Sequence, residues 1–240
     1  MNIALLGYGK MGQTIEKIAV SRGHSIGLKI SIKNPEDFTQ CNIDPIDIAI
    51  EFSAPEVAFY HINRAINMGC SVVSGTTGWL HNYPIIEEKI KESGKVGFIY
   101  ASNFSLGVNL FFELNTRLAR LMSKYDQYEV SIVEIHHTAK LDAPSGTAIT
   151  LAESIISENK DKSEWASNSK NKDRSKLTII SKREDPAPGT HIINYDSAID
   201  SIQISHTAHS REGFALGAVL AAEWLADKNG IFSMKDVLGL

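Results

Sequence analysis

The chain opens "MNIALLGYGKMG" (residues 1–12), and the reading of this stretch decides the fold. "IALL" (3–6) is an unbroken apolar run that stops at a glycine. A run with no polar alternation suits a strand covered on both faces, as in a parallel sheet. After it, Ile15, Ile18 and Ala19 fall on one helical face, and Gly23 closes that pattern. Between strand and helix, "GYGKMG" spaces Gly7, Gly9 and Gly12 as GxGxxG, with Tyr8, Lys10 and Met11 in the gaps. Here the first glycine permits a tight turn, the second lets backbone approach a pyrophosphate, and the third lets helix and strand pack closely. The helix start then offers N–H groups and a positive dipole end to the anion. A plain structural turn is the other reading of the same glycines; the position between a strand and a helix favours a dinucleotide.

Working outward, strand and helix patterns alternate with short links. Strands are expected at 25–32, 46–52, 70–74 and 96–102. Helices are expected from Pro55 to Gly69, burying Ala58, Ile62, Ala65 and Ile66, and over 83–93. This is the pattern of a doubly wound α/β domain. The rhythm changes after residue 103. A long helix over 106–122 leads to an alternating strand over 128–137 and a helix over 145–157. Strands at 177–181, 190–195 and 200–208 suggest a mixed or antiparallel sheet. Residues 158–176 are polar and mixed in charge, which predicts a solvated loop. Helices over 214–226 and at the C-terminal end finish the chain. The expected fold is therefore α/β. A Rossmann-like parallel-sheet domain (1–106 and 212–240) accompanies an α+β domain with a mixed sheet (107–211).

Composition sets the outer bounds. The 240 residues are 43% hydrophobic and 22% charged, with a net charge of −4, so neither nucleic acid nor a membrane is an expected partner. The first residues lack a basic stretch and a long apolar run, so a secretory leader is not expected. Cys41 and Cys70 form no CxxC pair and read as small apolar side chains in a reducing cytoplasm.

The chemistry gathers in "EIHHTAKLDAPSGTA" (134–148). Along an extended strand, Glu134, His136 and, if extension persists, Lys140 share one face, while His137 takes the other. The adjacent histidines therefore do not grip one ion together, and no further Cys/His set completes a zinc site, so no metal is expected. "DAPSGT" stops the strand and restarts the chain as a helix. Ser145 caps, Gly146 leaves backbone N–H groups open, and Thr147 adds a hydroxyl. Such an end either is simply capped or holds a carboxylate or phosphate. Lys140 and the histidines are proton carriers near neutral pH when their surroundings tune them. An anionic-substrate pocket with acid–base groups, facing a dinucleotide domain, is the reading the residues give.

Six stretches in order, "GYGKMG", "EFSAPE", "SGTTG", "ASNFSLGVN", "EIHHTAKLDAPSGTA" and "SHTAHSREGFALGAVLAAEWL", resemble the 4-hydroxy-tetrahydrodipicolinate (dihydrodipicolinate) reductase family across nearly the whole chain. The fifth is the most specific. The resemblance implies NAD(P)H-dependent reduction of a small cyclic dicarboxylate in the diaminopimelate route to lysine. By it, His136 is the acid/base residue and Lys140 the proton donor, while His137, Gly146 and Thr147 hold substrate carboxylates. Gly75, Thr76, Thr77 and Ser102, Asn103, Phe104 and Ser105 lie along the cofactor near its nicotinamide end. Arg211 is a further candidate for the substrate, and a homotetramer built through the second domain's sheet is implied.

Two departures concern the cofactor. The glycine turn is one residue shorter than the GxxGxxG of many members. Ser31 also stands where an acid usually takes the ribose hydroxyls, with Lys29 and Lys33 beside it, so NADPH is expected to serve at least as well as NADH. Two other readings of the same residues stay open: another small amino-acid dehydrogenase, related to aspartate or homoserine dehydrogenases, and a Schiff-base lyase using Lys140.

Overall fold

The computed structural model describes residues 1–168, 173–210 and 212–240. Its contacts divide the chain into two compact units, Met1–Leu106 with Glu212–Leu240, and Gly107–Arg211.

The first unit is built on strands β1 (Asn2–Leu6), β2 (Ser25–Ile30), β3 (Ile48–Glu51), β4 (Ser71–Ser74), β5 (Gly97–Tyr100) and β11 (Gly230–Phe232). All pairings are parallel, in the order β11-β5-β4-β3-β1-β2. Because successive side chains face opposite ways, β1 feeds two cores. Ala4 and Leu6 join the layer under helices α3 (Pro55–Asn67) and α4 (Tyr83–Ser93), with Ala58, Ile62, Ile86 and Trp79. Ile3 and Leu5 join the layer under α1 (Lys10–Ser21) and α7 (Glu212–Leu225), with Ile15, Ala19, Ala218 and Leu225. Burial on both faces explains why "IALL" carries no polar alternation. The short helices α2 (Gln40–Ile43) and α8 (Met234–Leu238) complete the unit.

The second unit has helices α5 (Leu106–Met122) and α6 (Gly146–Glu158) against strands β6 (Glu129–His136), β7 (Glu164–Ser167), β8 (Lys176–Arg183), β9 (Thr190–Asp196) and β10 (Ser201–Thr207). Sheet order is β10-β9-β6-β8-β7. β6 and β7 run parallel to β8, whereas β9 is antiparallel to β6 and β10, so the sheet is mixed. One face carries Val130, Ile132, Leu177, Ile179, Ile193 and Tyr195 against Leu151, Ala152 and Ile155 of α6.

Three expectations need correction. The polar run 158–176 contains β7, an edge strand bonded on one side only, which needs no buried face and so leaves no apolar pattern. β6 ends at His136, and a turn follows in which the Lys140 N–H donates to the His137 carbonyl at 3.1 Å. Extension therefore does not persist to Lys140. β11 adds a sixth parallel strand too short to leave a pattern. Arg211 and the Cys41 side chain lie outside what is described.

Candidate active site

β6 explains how the second unit's site arises. Its buried positions are Val130, Ile132, Glu134 and His136, so the face that is apolar for two turns of the pleat becomes polar at its end. Register then gathers the partners. Glu134 pairs with His191 of β9, and His136 pairs with Arg183 of β8. Glu134 is completely buried. Its Oε1 accepts from the Ser145 N–H at 3.2 Å and from Arg183 at 3.1 Å, and its Oε2 lies 3.1 Å from His136 Nδ1. Burial opposes ionisation of this acid, but the His136 ring, the Ser145 donors and the Arg183 guanidinium outweigh it. They hold the carboxyl well below the usual carboxylate range.

That anion orients His136. With Nδ1 turned to the carboxylate at 3.1 Å, Nε2 is the ring nitrogen directed elsewhere. Gly189 backs this nitrogen. A Cβ at Gly189, whose φ is +155°, would stand 3.1 Å from Nε2. The ring partner of His136 is His191, at 5.1 Å between centroids and edge-on, and not its sequence neighbour His137. His191 Nε2 lies 3.2 Å from Ser145 Oγ, and burial first, then the adjacent His136, lower its pKa to about 4. Glu134, His136 and His191 are donor types that take zinc, with ligand atoms within 4.8 Å of one another. Arg183 already neutralises the carboxylate, which favours a charge network over an ion site.

The helix start sits against this network. Ser145 is the N-cap of α6, its Oγ accepting from the Ala148 N–H at 3.2 Å. The Ile149 N–H bonds to the Ser145 carbonyl, which leaves the Gly146 and Thr147 N–H groups without a bond among the described residues. Nothing lies within 4 Å of a Cβ built at Gly146. Two unclaimed donors at a positive helix end suit a carboxylate. Lys140 is 2.8 Å from Asp142, whose side chain is 59% exposed. An ion pair so open to water is worth only about 0–1 kcal/mol, so it does not stop the ammonium turning to an anionic ligand. The turn that carries Lys140 is fastened by Thr138, which donates from Oγ1 to Asp185 at 2.5 Å and from its N–H at 3.2 Å.

In the first unit, Gly7, Ser31 and Phe52 follow β1, β2 and β3, where the strand order reverses, and there they line a cavity of 660 Å³. Gly7 takes φ +105°, and a Cβ there would fall 2.1 Å from the Phe52 carbonyl oxygen. Gly9 caps α1 without a side-chain bond, leaving that helix end to a ligand. These features fit a dinucleotide: a mostly apolar slot, a bare helix start and a backbone no side chain could share. Tyr8 and Gly9 line the slot; Lys10 is exposed, and Met11 packs on the core. Gly75, Thr76 and Thr77 follow β4, and Ser102 to Ser105 follow β5, along the same edge of the sheet. The Phe104 ring is buried in the core, and the Thr76 hydroxyl donates to Glu51, so neither of those groups faces out.

Lys29 differs from expectation. Its Nζ pairs with Glu16 at 2.6 Å and lies 4.9 Å from the centre of the Tyr8 ring, while Tyr8 donates to Glu16. That leaves Lys33 and the Ser31 hydroxyl, which donates to Asn34 at 2.7 Å, at the cavity wall.

Sequence reading alone did not assign Glu51, Arg183 or His191. His191 had a signal: it holds the inward parity of "THIINY" beside Ile193 and Tyr195.

Comparison with known proteins places the chain among its relatives. A 4-hydroxy-tetrahydrodipicolinate reductase of Christiangramia forsetii is 53% identical over 240 residues, covering 99% of this chain and 98% of the relative. Its counterpart in Chromobacterium violaceum is 37% identical over 91% of this chain and 81% of its own length. Among solved structures, dipicolinate-bound dihydrodipicolinate reductase from Paenisporosarcina sp. TG-14 superposes with a TM-score of 0.75 at 21% identity, over 97% of both chains. The amine dehydrogenase of Mycobacterium smegmatis shares the fold at a TM-score of 0.61 and 8% identity, covering 98% of this chain and 95% of its own. Family profiles for the N-terminus and the C-terminus of dihydrodipicolinate reductase match residues 1–104 and 107–238, and the chain belongs to that family.

Proposed function

We propose that the second unit's Glu134–His136 network, Lys140 and the start of α6 form the substrate site of this reductase. As a family member, the chain catalyses the NAD(P)H-dependent reduction of 4-hydroxy-tetrahydrodipicolinate to tetrahydrodipicolinate in the diaminopimelate route to lysine. The nicotinamide cofactor, when bound, supplies the hydride. The chain's own residues do the rest. The free N–H groups of Gly146 and Thr147, with His137, hold the substrate carboxylates. His136, oriented through Nδ1 by Glu134, exchanges protons at Nε2 as water leaves the substrate. Lys140 donates the proton that completes the product, and its positive charge offsets the negative charge that grows as hydride arrives.

The observation that carries this reading is the buried Glu134 carboxylate, which spends its ionic partners on orienting His136 and fixing the Ser145 cap at once. Ser31 and Lys33 at the cavity wall support use of NADPH at least as readily as NADH. A homotetramer is in keeping with half-exposed Ile180 and Ile202 on the strands of the mixed sheet. A cytoplasmic location agrees with the buried free Cys70 thiol, which burial pushes up to about 12. Among the described residues no helix is long and apolar enough to cross a membrane.

The test is NADPH oxidation with freshly formed 4-hydroxy-tetrahydrodipicolinate. Lys140→Ala is expected to lower kcat by about 10²–10⁴ while NADPH affinity changes by less than about threefold. Loss of NADPH binding in that variant would show Lys140 to be misassigned.

A further inference from the structure

Glu51 closes β3 in the first unit and is completely buried. Among the described residues no cation is bonded to it. Four donors are instead. Oε1 accepts from the Ser53 N–H at 2.9 Å, the Ser53 hydroxyl at 2.5 Å and the Thr76 hydroxyl at 2.7 Å, and Oε2 accepts from the Ser74 hydroxyl at 2.7 Å. Ser53 N–H also lies 2.9 Å from Thr76 Oγ1, so the loops after β3 and β4 are tied to each other as well as to the acid. Parallel pairing already sets Glu51 opposite Ser74, and the Gly75 N–H donates to the Glu51 carbonyl at 2.9 Å.

The donors matter because of what they carry. Ser53 is part of the cavity wall, and Thr76 sits in the "GTTG" loop beside it. A simple core would have an apolar residue here, as Ala49 and Ile50 are two positions and one position earlier. Only an acceptor with two oxygens can satisfy a backbone N–H and three hydroxyls at once. We infer that Glu51 is a positioning residue for the cofactor: it fixes the loops Ser53–Ala54 and Gly75–Thr77 in the shape the dinucleotide meets, without touching it. This rests on the assignment of NAD(P)H to the first unit.

Equilibrium titration of NADPH against the full chain, followed by nicotinamide fluorescence, tests it. Glu51→Ala is expected to raise the NADPH Kd by about tenfold or more and to leave the KM for the dicarboxylate near the wild-type value. Glu51→Gln keeps an oxygen for Ser53 and Thr76 and is expected to recover most of the affinity. If Glu51→Ala does not fold, Ser74→Ala decides, since it removes only the buried Oε2 partner; its Kd is expected to rise about threefold. A lower Tm with unchanged Kd in these variants would reduce Glu51 to a fold residue and overturn the inference alone. A wild-type chain that binds no NADPH would overturn the cofactor assignment, and the inference with it.

Discussion

A methyl group at position 189 is the smallest change that reaches the proposed acid–base nitrogen. In Gly189→Ala the new Cβ would lie 3.1 Å from His136 Nε2, in a backbone conformation with φ +155° that side chains disfavour. Strain of about 1 kcal/mol is tolerable for the fold. Obstruction of a proton-transfer geometry is not tolerable for the rate. The variant is expected to fold, bind NADPH normally and lose about 10²-fold in kcat; wild-type kcat would mean that Nε2 is not the working atom. Residue chemistry also governs the cofactor. With Lys29 held by Glu16, the cavity wall near Ser31 keeps Lys33 as its cation, and among the described residues lining it there is no acid to repel a 2′-phosphate. The ratio of kcat/KM for NADPH over NADH is expected to be about one or greater. A strong preference for NADH would contradict this.

β6 shows what an element's sequence reveals and what it conceals. Its alternation placed Glu134 and His136 on one face, and the structure buries both side chains of that face. Helices α4 and α5 were legible almost to the residue, because Pro84 sits in the first turn of α4 and Gly94 ends it at φ +58°. Hidden were features that depend on distant pairing: the partnership of His136 with His191, fixed by the register of β6 against β9, and the edge strand β7. The β6–β9 pairing has a consequence for pH. His191 has its pKa lowered to about 4 from an ordinary 6.5, so the unfolded chain binds its proton more readily than the folded one. Its contribution to stability is thus complete above about pH 6.5 and shrinks as pH falls toward 4. Between pH 7 and 4.5, urea unfolding of the wild type is expected to lose about 2 kcal/mol more than that of His191→Gln. Parallel losses in the two proteins would mean that His191 is not buried as a neutral ring.

For the whole molecule, the alternating βα rhythm up to residue 102 and the mixed sheet after it made both architectures legible, since each needs a different apolar period. The Glu51 and Glu134 networks were not legible, because a buried acid reads like any other acid until the fold brings donors to it. The proposed function requires that the second unit offer a cationic, donor-rich site to a dicarboxylate. Calorimetric titration of the NADPH-loaded protein with pyridine-2,6-dicarboxylate, a stable planar diacid, probes that site. One diacid is expected to bind per chain, and the doubly substituted His136→Ala, Lys140→Ala protein is expected to bind it at least about tenfold more weakly. Absence of binding by the wild type, or equal binding by the two proteins, would contradict the proposed function.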